Sequence, residues 1–384
     1  MFFIIVTSVM TFLGLYVATR LIWPLPLPLW LRLLLSLVVL LLACKMTLLH
    51  RFLPREQILD VPDILLILLA WLHISVVLAA LLTIVMDLLG LIPLLFGYAV
   101  HAPLARLAVA GVAGVLLAGL SVYNGLKPPQ VVEVDVPVRN LPAELNGFRI
   151  GVLGDVHLGP LFREPWARTV ADLTNEAAPD LIVTVGDIVD GRQEQMEDIV
   201  APLADLRAPY GVYGVVGNHE YYSGLDAWRK HLPELGIRLL YNEHATITKN
   251  GATLVLAGLP DRVTLSRMLG EQPDLAKALK DSPQGDKVIY ILLDHQPSGA
   301  NDYAQHGIHA QFSGHTHGGV ALPLQPLVAR MNGGFVSGLY DVSGMSLLVT
   351  NGAGMWGGMP VRLGVPSQIL IARLKPAAPA AEKK

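Results

Sequence analysis

The chain changes character near residue 125: apolar residues dominate before it, and apolar and polar positions alternate in short runs after it. Four apolar runs lie in the first part, and each reaches the roughly 20 residues that a helix needs to cross a bilayer. The runs extend over Phe2–Trp23, Leu29–Leu49, Ile64–Leu89 and Leu104–Tyr123. Residues 1–125 are therefore predicted to form an all-α region with four transmembrane spans.

The stretches between these runs are predicted to be loops, Lys45–Asp63 because it is charged and Gly90–Pro103 because it contains glycine and proline. A signal peptide is the alternative for the first run, but no basic segment precedes it and further apolar runs follow. Four spans would put both chain ends on the same side of the membrane. Basic residues after the second and fourth runs favour a cytoplasmic location for the part of the chain that follows the fourth run. The protein would then be a multi-pass protein of a bacterial inner membrane.

The third run contains two ionisable residues, His73 and Asp87. Such groups are functional candidates by default when they lie inside a membrane. However, Asp87 lies near the end of its run, and a neutral His73 can be hydrogen-bonded. A structural role is therefore favoured for both residues.

The second part of the chain is predicted to be an α/β domain. Val131–Val138 alternates as a half-buried strand whose Pro137 is typical of a sheet edge, so residues 126–147 are assigned to a linker and an edge strand. Strand-like runs then alternate with helical patterns over 148–375, and later hairpin-like runs predict a mixed sheet or a sheet pair. One helical pattern covers Leu265–Lys280. Residues 376–384, rich in Ala, Pro and Lys, are predicted to be a disordered tail.

Side chains that can bind metal follow five of the predicted strands at the point where each strand ends. They are Asp155 and His157, Asp187 and Asp190, Asn218 and His219, His295, and His315 and His317. One acidic residue after a strand is usually an ordinary turn, but five strand ends of the same chemical kind are difficult to explain in this way. Because sites in α/β sheets collect at the carboxyl ends of strands, these side chains are expected to lie together.

This donor set predicts a site for two divalent ions. Carboxylate, imidazole and amide donors suit Mn, Fe, Zn or Mg, and they are too many for one ion. Two ions about 3.5–4 Å apart need a bridging carboxylate, for which Asp187 is the candidate, and can clamp both sides of a phosphoryl displacement. A strand-like backbone would aim Asp155 and His157 into one pocket. The only cysteine, Cys44, excludes zinc held by several cysteines, and a net charge of −3 gives no reason to expect nucleic acid as a partner.

The strand-end groups resemble, in order and spacing, the motifs of the calcineurin-like metallophosphoesterase superfamily. The matching residues are Gly154-Asp155-Val-His157, Gly186-Asp187-Ile-Val-Asp190-Gly191, Gly217-Asn218-His219-Glu220, His295 and Gly314-His315-Thr-His317. The resemblance covers roughly Phe148–Arg373 and implies two sheets sandwiched between helices. Asn242–His244, Val336–Tyr340 and Pro360–Arg362 resemble its bacterial membrane-associated branch.

The resemblance also implies a role for each side chain. One ion would be bound by Asp155, His157, Asp187 and His317, and the other by Asp187, Asn218, His295 and His315. His219 would bind the phosphate or protonate the leaving oxygen, and Asp190 would orient a ligand or His219. Asn218 would also meet the substrate. Arg362 could hold a phosphate oxygen, although a surface salt bridge explains it equally well.

Two positions depart from the family pattern. Glu220 stands where many members have aspartate, and Val320 follows the Gly-Gly pair where relatives often have glutamine. The second departure leaves the local substrate contacts open. The loop Gly352–Pro360, which carries Met355 and Trp356, is either packed on the core or lines an acyl groove.

The predicted function is hydrolysis of a phosphomonoester, phosphodiester or pyrophosphate by a metal-activated water, with His219 assisting, at a membrane surface. Some relatives cleave a lipid-linked sugar nucleotide of lipid A synthesis, so membrane lipids are expected partners and the phosphoester substrate is expected to be lipid-linked. The alternative is a non-catalytic membrane sensor or scaffold with a relict hydrolase domain. The complete ligand set speaks against a relict. The sequence leaves the substrate, the native metals and the oligomeric state open.

Overall fold

The computed structural model describes residues 2–52, 59–97, 103–267 and 269–378. The chain divides into two compact units, Met1–Leu126 with Gly358–Leu363 and Lys127–Gly357 with Gly364–Lys384. Of the predicted disordered tail, Pro376 closes the last strand, and residues 379–384 lie outside the described residues.

The first unit is built from helices because its sequence offers long apolar runs with little to interrupt them. These helices are Phe2–Val17, which continues as the π-helical turn Ala18–Ile22, Leu29–Ala43, Lys45–Phe52, Asp63–Leu95, Pro103–Arg106, the π-helical Leu107–Val112, and Ala113–Gly125. Three stretches are long and apolar enough to cross a membrane: Ile4–Ile22, Asp63–Leu95 and Leu104–Gly125.

The prediction of four spans is corrected to three spans of sufficient length, among the described residues, and one short apolar helix. Leu29–Ala43 has 15 residues and would extend over only about 22 Å of a hydrocarbon core about 30 Å thick. It ends because the chain turns at Cys44, and Lys45–Phe52 forms a separate helix where a loop was predicted. The third span reaches beyond Leu89 to Leu95, because its apolar sequence continues and Pro93 removes only one backbone donor.

The two ionisable residues of the third span, Asp87 and His73, have partners inside this unit. Asp87 accepts hydrogen bonds from the Tyr16 hydroxyl at 2.6 Å and from Nε of Arg20 at 2.7 Å, and it also pairs with Arg106. His73 Nδ1 lies 2.8 Å from a backbone carbonyl of another helix. A charge that faces two arginines is neutralised within the helix bundle, which fits the structural role predicted for Asp87.

Two six-stranded mixed sheets form the second unit. The strands are β1 Gln130–Val138, β2 Arg149–Leu153, β3 Leu181–Val185, β4 Val212–Val215, β5 Ile237–Leu239, β6 Glu243–Lys249, β7 Ala252–Gly258, β8 Val288–Leu293, β9 Ala310–Ser313, β10 Gly338–Val342, β11 Met345–Val349 and β12 Gln368–Pro376. The first sheet has the order β1-β12-β2-β3-β4-β5, and the second has the order β10-β11-β9-β8-β7-β6.

The parallel strands in the middle of each sheet are buried, which is why their sequences are almost uninterrupted apolar runs. β2, β3 and β4 are the central parallel strands of the first sheet, with β5 parallel to them at its edge, and β7, β8, β9 and β11 are the central parallel strands of the second. One apolar core contains side chains of both sheets, for example Val152 and Val183 from the first and Leu256 and Ile291 from the second. The predicted two-sheet α/β sandwich with flanking helices is therefore confirmed.

The longer connections carry the helices of this unit. They are Glu164–Glu176, Gln193–Val200, Asn218–Ser223, Leu225–Glu234, Val263–Arg267, Leu275–Ala278, Ala300–Tyr303 and Gln325–Met331. The single helix predicted over Leu265–Lys280 is wrong, because the described residues of this stretch form two short helices separated by a non-helical segment. Gly270 and Pro273 lie between them and disfavour a continuous helix.

Candidate metal centre

The predicted ligands meet because the strands that carry them are neighbours. β2, β3 and β4 are adjacent and parallel, and Asp155, Asp187 and Asn218 follow their carboxyl ends. β8 and β9 are adjacent and parallel in the other sheet, and His295 and His315 follow theirs. The five strand ends therefore deliver their side chains to one side of the sandwich, as expected for parallel strands.

Five of the candidate ligands have a left-handed backbone, with φ between 48° and 71°. They are Asp155, His157, Asp187, His315 and His317. This conformation is uncommon for residues other than glycine and costs free energy, so it marks places where the fold forces a side chain into position. The strand-like alternation predicted for Asp155 and His157 is therefore wrong, and each turns into the site through a tight loop instead.

Two glycines allow the loops to approach the carboxylates. A Cβ on Gly217 would lie 2.3 Å from Oδ1 of Asp187, and a Cβ on Gly314 would lie 2.4 Å from Oδ2 of Asp155. Any side chain at either position would displace the carboxylate, so each motif needs its glycine for close contact.

The side chains gather into three overlapping groups whose ligand atoms lie within 4.8 Å of one another. The groups are Asp155 with His157 and His317, His157 with Asp187 and His219, and Asp187 with His295 and His315. Nε2 of His157 lies 3.1 Å from Nε2 of His317. Two imidazole nitrogens at this distance need a proton or a shared cation between them.

The carboxylate of Asp187 belongs to two of these three groups. Its Oδ2 lies 3.2 Å from Nε2 of His295, 3.7 Å from Nε2 of His157 and 3.9 Å from Nε2 of His219. Its Oδ1 accepts a hydrogen bond from the backbone N–H of His219 at 2.8 Å. The carboxylate therefore lies where a ligand shared by two ions would lie.

The remaining donors are oriented for a cation. The backbone carbonyl of Val185 lies 2.7 Å from Nδ1 of His295, which puts the proton on Nδ1 and directs Nε2 at Asp187. The backbone N–H of His315 donates to both oxygens of Asp155 at 2.9 and 3.0 Å. Oδ1 of Asn218 is buried and has no hydrogen-bond partner among the described residues. A buried oxygen without a donor beside carboxylates and imidazoles fits a metal ligand, and the whole set fits two divalent ions.

Asp190 holds two histidines at once. Its Oδ1 lies 2.9 Å from Nδ1 of His157 and 2.5 Å from Nδ1 of His219. The two imidazole rings therefore stand edge to face, with their centres 4.5 Å apart. The Asp190 carboxylate therefore fixes the position of both rings and leaves Nε2 of His219 directed away from it, while its role in catalysis stays a prediction.

The electrostatics separate the roles of these groups. Burial would raise the pKa of the Asp187 carboxyl, but the facing imidazoles of His295 and His219 hold it well below its usual range. Burial lowers the pKa of His315 to about 3, which keeps its imidazole in the neutral form that binds metal. Burial also acts against the charge on His219, but Asp187 and Asp190 raise its pKa to about 9. Burial acts against a charge on His295 as well, but Asp187 also raises the pKa of that imidazole. Of these two histidines, only His219 is expected to keep its proton when a cation binds, because Nε2 of His295 is the atom directed at Asp187.

Comparison with known proteins agrees with this geometry. The family model of the calcineurin-like phosphoesterases matches residues 148–319, which include all three groups of ligands. An uncharacterized metallophosphoesterase of Campylobacter jejuni is 37% identical over 269 residues, or 69% of this chain and 68% of that protein. The chain belongs to the calcineurin-like metallophosphoesterase family. This family depends on dinuclear metal centres, which is what the shared Asp187 carboxylate suits.

Other relatives connect this metallophosphoesterase to membranes. A transmembrane protein with metallophosphoesterase domain from Danio rerio is 36% identical over 68% of this chain and 62% of that protein, so the match spans less than two thirds of that relative. An uncharacterized metallophosphoesterase of Aquifex aeolicus is 33% identical over 64% of this chain and 92% of its own length. The long apolar helices and the similarity to a transmembrane relative together identify this metallophosphoesterase as a membrane protein.

Glu220 holds two loops of the metal centre together, a role that was not predicted from the sequence. Its buried carboxylate accepts hydrogen bonds from the backbone N–H groups of Gly217, Asp187, Ile188 and Val189 at 2.6 to 3.1 Å. Burial and the neighbouring Asp187 raise its pKa to about 7. Glu220 therefore ties the loop after β3 to the loop after β4, and the glutamate is long enough to reach both.

A Glu220→Ala variant should be destabilised by at least about 3 kcal/mol, because each buried donor left without an acceptor costs about 1–3 kcal/mol. Thermal unfolding of the detergent-solubilised protein would show this as a lower Tm, together with weaker metal binding. Glu234→Ala is the control, since the Glu234 side chain is 70% exposed. Equal Tm values for the two variants would contradict the role given to Glu220.

Two contacts from the C-terminal loop were not predicted from the sequence. The Trp356 ring lies 4.7 Å from the His317 ring, and the backbone N–H of Gly357 donates to Oδ2 of Asp190 at 2.8 Å. Met355, considered for an acyl groove, is buried in the core instead. Nothing in the local pattern of Gly352–Pro360 shows which part of the chain this loop meets, although its glycines and tryptophan mark it as unusual.

Arg362 belongs to the other compact unit of the chain than the candidate metal ligands do. It belongs to the segment Gly358–Leu363 of the helical unit, and its backbone N–H donates to the carbonyl of Ser121 at 3.0 Å. Its side chain is buried, so the surface salt bridge considered for it is wrong. Contact between Arg362 and a phosphate stays a prediction.

Proposed function

We propose that this protein is a membrane-anchored hydrolase of phosphoester or phosphoanhydride bonds that works with two divalent ions. The observation that carries the proposal is the Asp187 carboxylate, which is shared by two groups of Asp and His side chains in one site. Mn, Fe, Zn and Mg all suit these donors. Two ions bound there would neutralise phosphoryl charge and lower the pKa of an attacking water.

The chain's own residues would complete the chemistry around the reacting phosphorus. The Asn218 amide would contact a phosphoryl oxygen as well as an ion. His219, held at 2.5 Å by Asp190 and protonated, would donate a proton from Nε2 to the leaving oxygen. Trp356 covers one side of His317 and would limit the access of bulk water.

We also propose that the substrate is lipid-linked. The turn His317–Gly319 leads into the helix Gln325–Met331, which exposes apolar side chains. Leu327 is 59% exposed and Met331 is 74% exposed, and both lie on one helix face because they are four residues apart. Exposed apolar groups close in sequence to a metal ligand support contact with acyl chains or a bilayer surface in a chain that carries its own membrane helices.

The proposed location is a bacterial inner membrane, crossed several times, with the catalytic domain in the cytoplasm. Lys45 and Lys127 lie at the ends that would face the cytoplasm. Two basic residues at the other ends, Arg20 and Arg106, are paired with Asp87. Arg51 and Arg55 follow Lys45 before the third span, and Arg32 lies on the other side, so four basic residues against three favour this orientation.

Full-length protein in detergent tests the proposal. We expect two ions per chain by elemental analysis after loading with Mn²⁺, hydrolysis of a generic aryl phosphoester, and loss of that hydrolysis when a chelator removes the ions. A panel with a sugar-nucleotide lipid, a polyprenyl diphosphate and a phospholipid should show faster turnover of a lipid-linked member than of a soluble nucleotide.

Each result has a clear opposite. Protein that binds no metal, or that binds metal and hydrolyses nothing in the panel, would support the sensor or scaffold alternative. Preference for a soluble nucleotide would contradict the proposal of a lipid-linked substrate but would still support the hydrolase function.

A further inference from the structure

A cavity of about 380 Å³ adjoins the metal centre. Two candidate ligands, Asn218 and His315, form part of its wall. The other polar side chains that line it are Tyr222, Arg262, Ser266, Arg267 and Gln296. A cavity that contains metal ligands on one wall is where the group next to the reacting phosphoryl would lie.

The charge of this cavity is positive. None of its lining residues that the structure describes is acidic. Arg262 donates from Nη1 to the Tyr303 hydroxyl at 3.1 Å, and the guanidinium of Arg267 lies 4.7 Å from the centre of the Tyr222 ring. Within the described part of the chain, neither arginine has a carboxylate within 4.0 Å. Behind the lining, burial raises the pKa of the Asp294 carboxyl to about 7 although Arg262 acts in the opposite direction, so part of the Arg262 charge serves that group. Arg262 and Arg267 still have donors available for an anionic ligand.

We infer that Arg262 and Arg267 form a subsite for a second phosphate group, so that the preferred substrates are diphosphates in which the bond beside the metal centre is cleaved. The inference rests on the proposed hydrolase function. The two ions held by the Asp and His side chains, together with Asn218 and His219, would already contact the reacting phosphoryl group, so the arginines are available for another group. Guanidinium donors match the paired oxygens of a phosphate better than any other side chain does.

A second cavity limits the length of the region that can bind phosphate groups. It has a volume of about 760 Å³ and shares Arg262 and Leu265 with the first. Its lining includes the acidic residues Glu271, Asp274 and Asp302. Carboxylates would repel a further phosphate and accept hydrogen bonds from hydroxyl groups. The substrate is therefore a diphosphate whose outer substituent carries hydroxyl groups, and a triphosphate is disfavoured.

The test compares two phosphonates that cannot be hydrolysed, methylphosphonate and methylenediphosphonate, as competitive inhibitors of aryl phosphodiester hydrolysis by the full-length, Mn²⁺-loaded protein. We expect the wild type to bind the diphosphonate more tightly. In the double variant Arg262→Gln with Arg267→Gln, that preference should fall by about 10–100-fold, the value of hydrogen bonds to a charged group. Arg267→Lys should retain part of it, and the control Arg238→Gln, an exposed residue of β5, should retain all of it.

A diphosphonate preference that survives in the double variant would come from the metal ions alone and would overturn the subsite. Equal affinity of the wild type for the two phosphonates would do the same. Failure of the proposed function is a separate result, because a wild type that hydrolyses nothing can still be titrated with both phosphonates by calorimetry, and the ratio of their affinities still decides the subsite.

Discussion

An Asp187→Asn variant should lose its two bound ions and all measurable hydrolysis while the domain stays folded. The substitution keeps the shape of the side chain and removes the charge that faces three imidazoles, of which Nε2 of His295 is nearest at 3.2 Å. A shared ligand is lost by both ions at once, so the effect should exceed that of replacing a ligand of one ion. Elemental analysis and phosphodiester turnover measure the two losses.

The matched control is Asp205→Asn, because Asp205 is an exposed aspartate on the same domain. It should keep two ions and full activity. An Asp187→Asn protein that holds two ions and turns over at the wild-type rate would exclude the two-metal site. A circular dichroism spectrum equal to that of the control would show that the loss is not unfolding.

Replacing His219 by glutamine should lower kcat by about 10²–10⁴-fold, the range of general acid catalysis. The loss should depend on the leaving group. An alkoxide needs a proton to depart, whereas p-nitrophenolate does not, so substrates with alkyl leaving groups should lose most of their rate and p-nitrophenyl esters much less. Equal losses for both classes would make His219 a phosphate-binding group only.

The pH profile provides a second measurement of the same role. The pKa of His219 is raised to about 9 by Asp187 and Asp190, so the acid form is present below that pH and is lost as the pH rises through it. Ions bound by Asp187 would offset part of its charge, so the wild-type rate for an alkyl leaving group should decline at or below pH 9, and the variant should lack this decline. Asp190→Asn removes the partner of Nδ1 and should cost about 10–100-fold.

Much of the candidate site could be predicted because metal binding depends on residue type and on strand ends, and both are visible locally. The order of Asp155, Asp187 and His295 after apolar runs required only the rule that parallel strands present their carboxyl ends together. The structure brings the predicted ligands of both sheets into one site. The division of the chain into an apolar and an alternating part was visible for the same reason, since hydropathy is a property of the sequence itself.

The length of the helices and the small connecting elements were predicted less well. The break at Cys44 and the continuation of a helix through Pro93 were missed because apolar composition shows where a span lies but not at which residue its helix ends. The strands β5, β6 and β10 were missed because each lies at the edge of its sheet, where only one neighbouring strand determines it.

The sequence alone determined the chemistry of the metal ligands, their order and the presence of membrane helices, because these follow from residue type and periodicity. The tertiary structure decided the left-handed loops that aim Asp155 and His157, the four hydrogen bonds to Glu220, and the arginines beside the metal centre. The contact of Gly357 with Asp190 joins residues 167 positions apart. No local pattern encodes such a contact, because it depends on the way the two sheets pack and on the loops that this packing brings together.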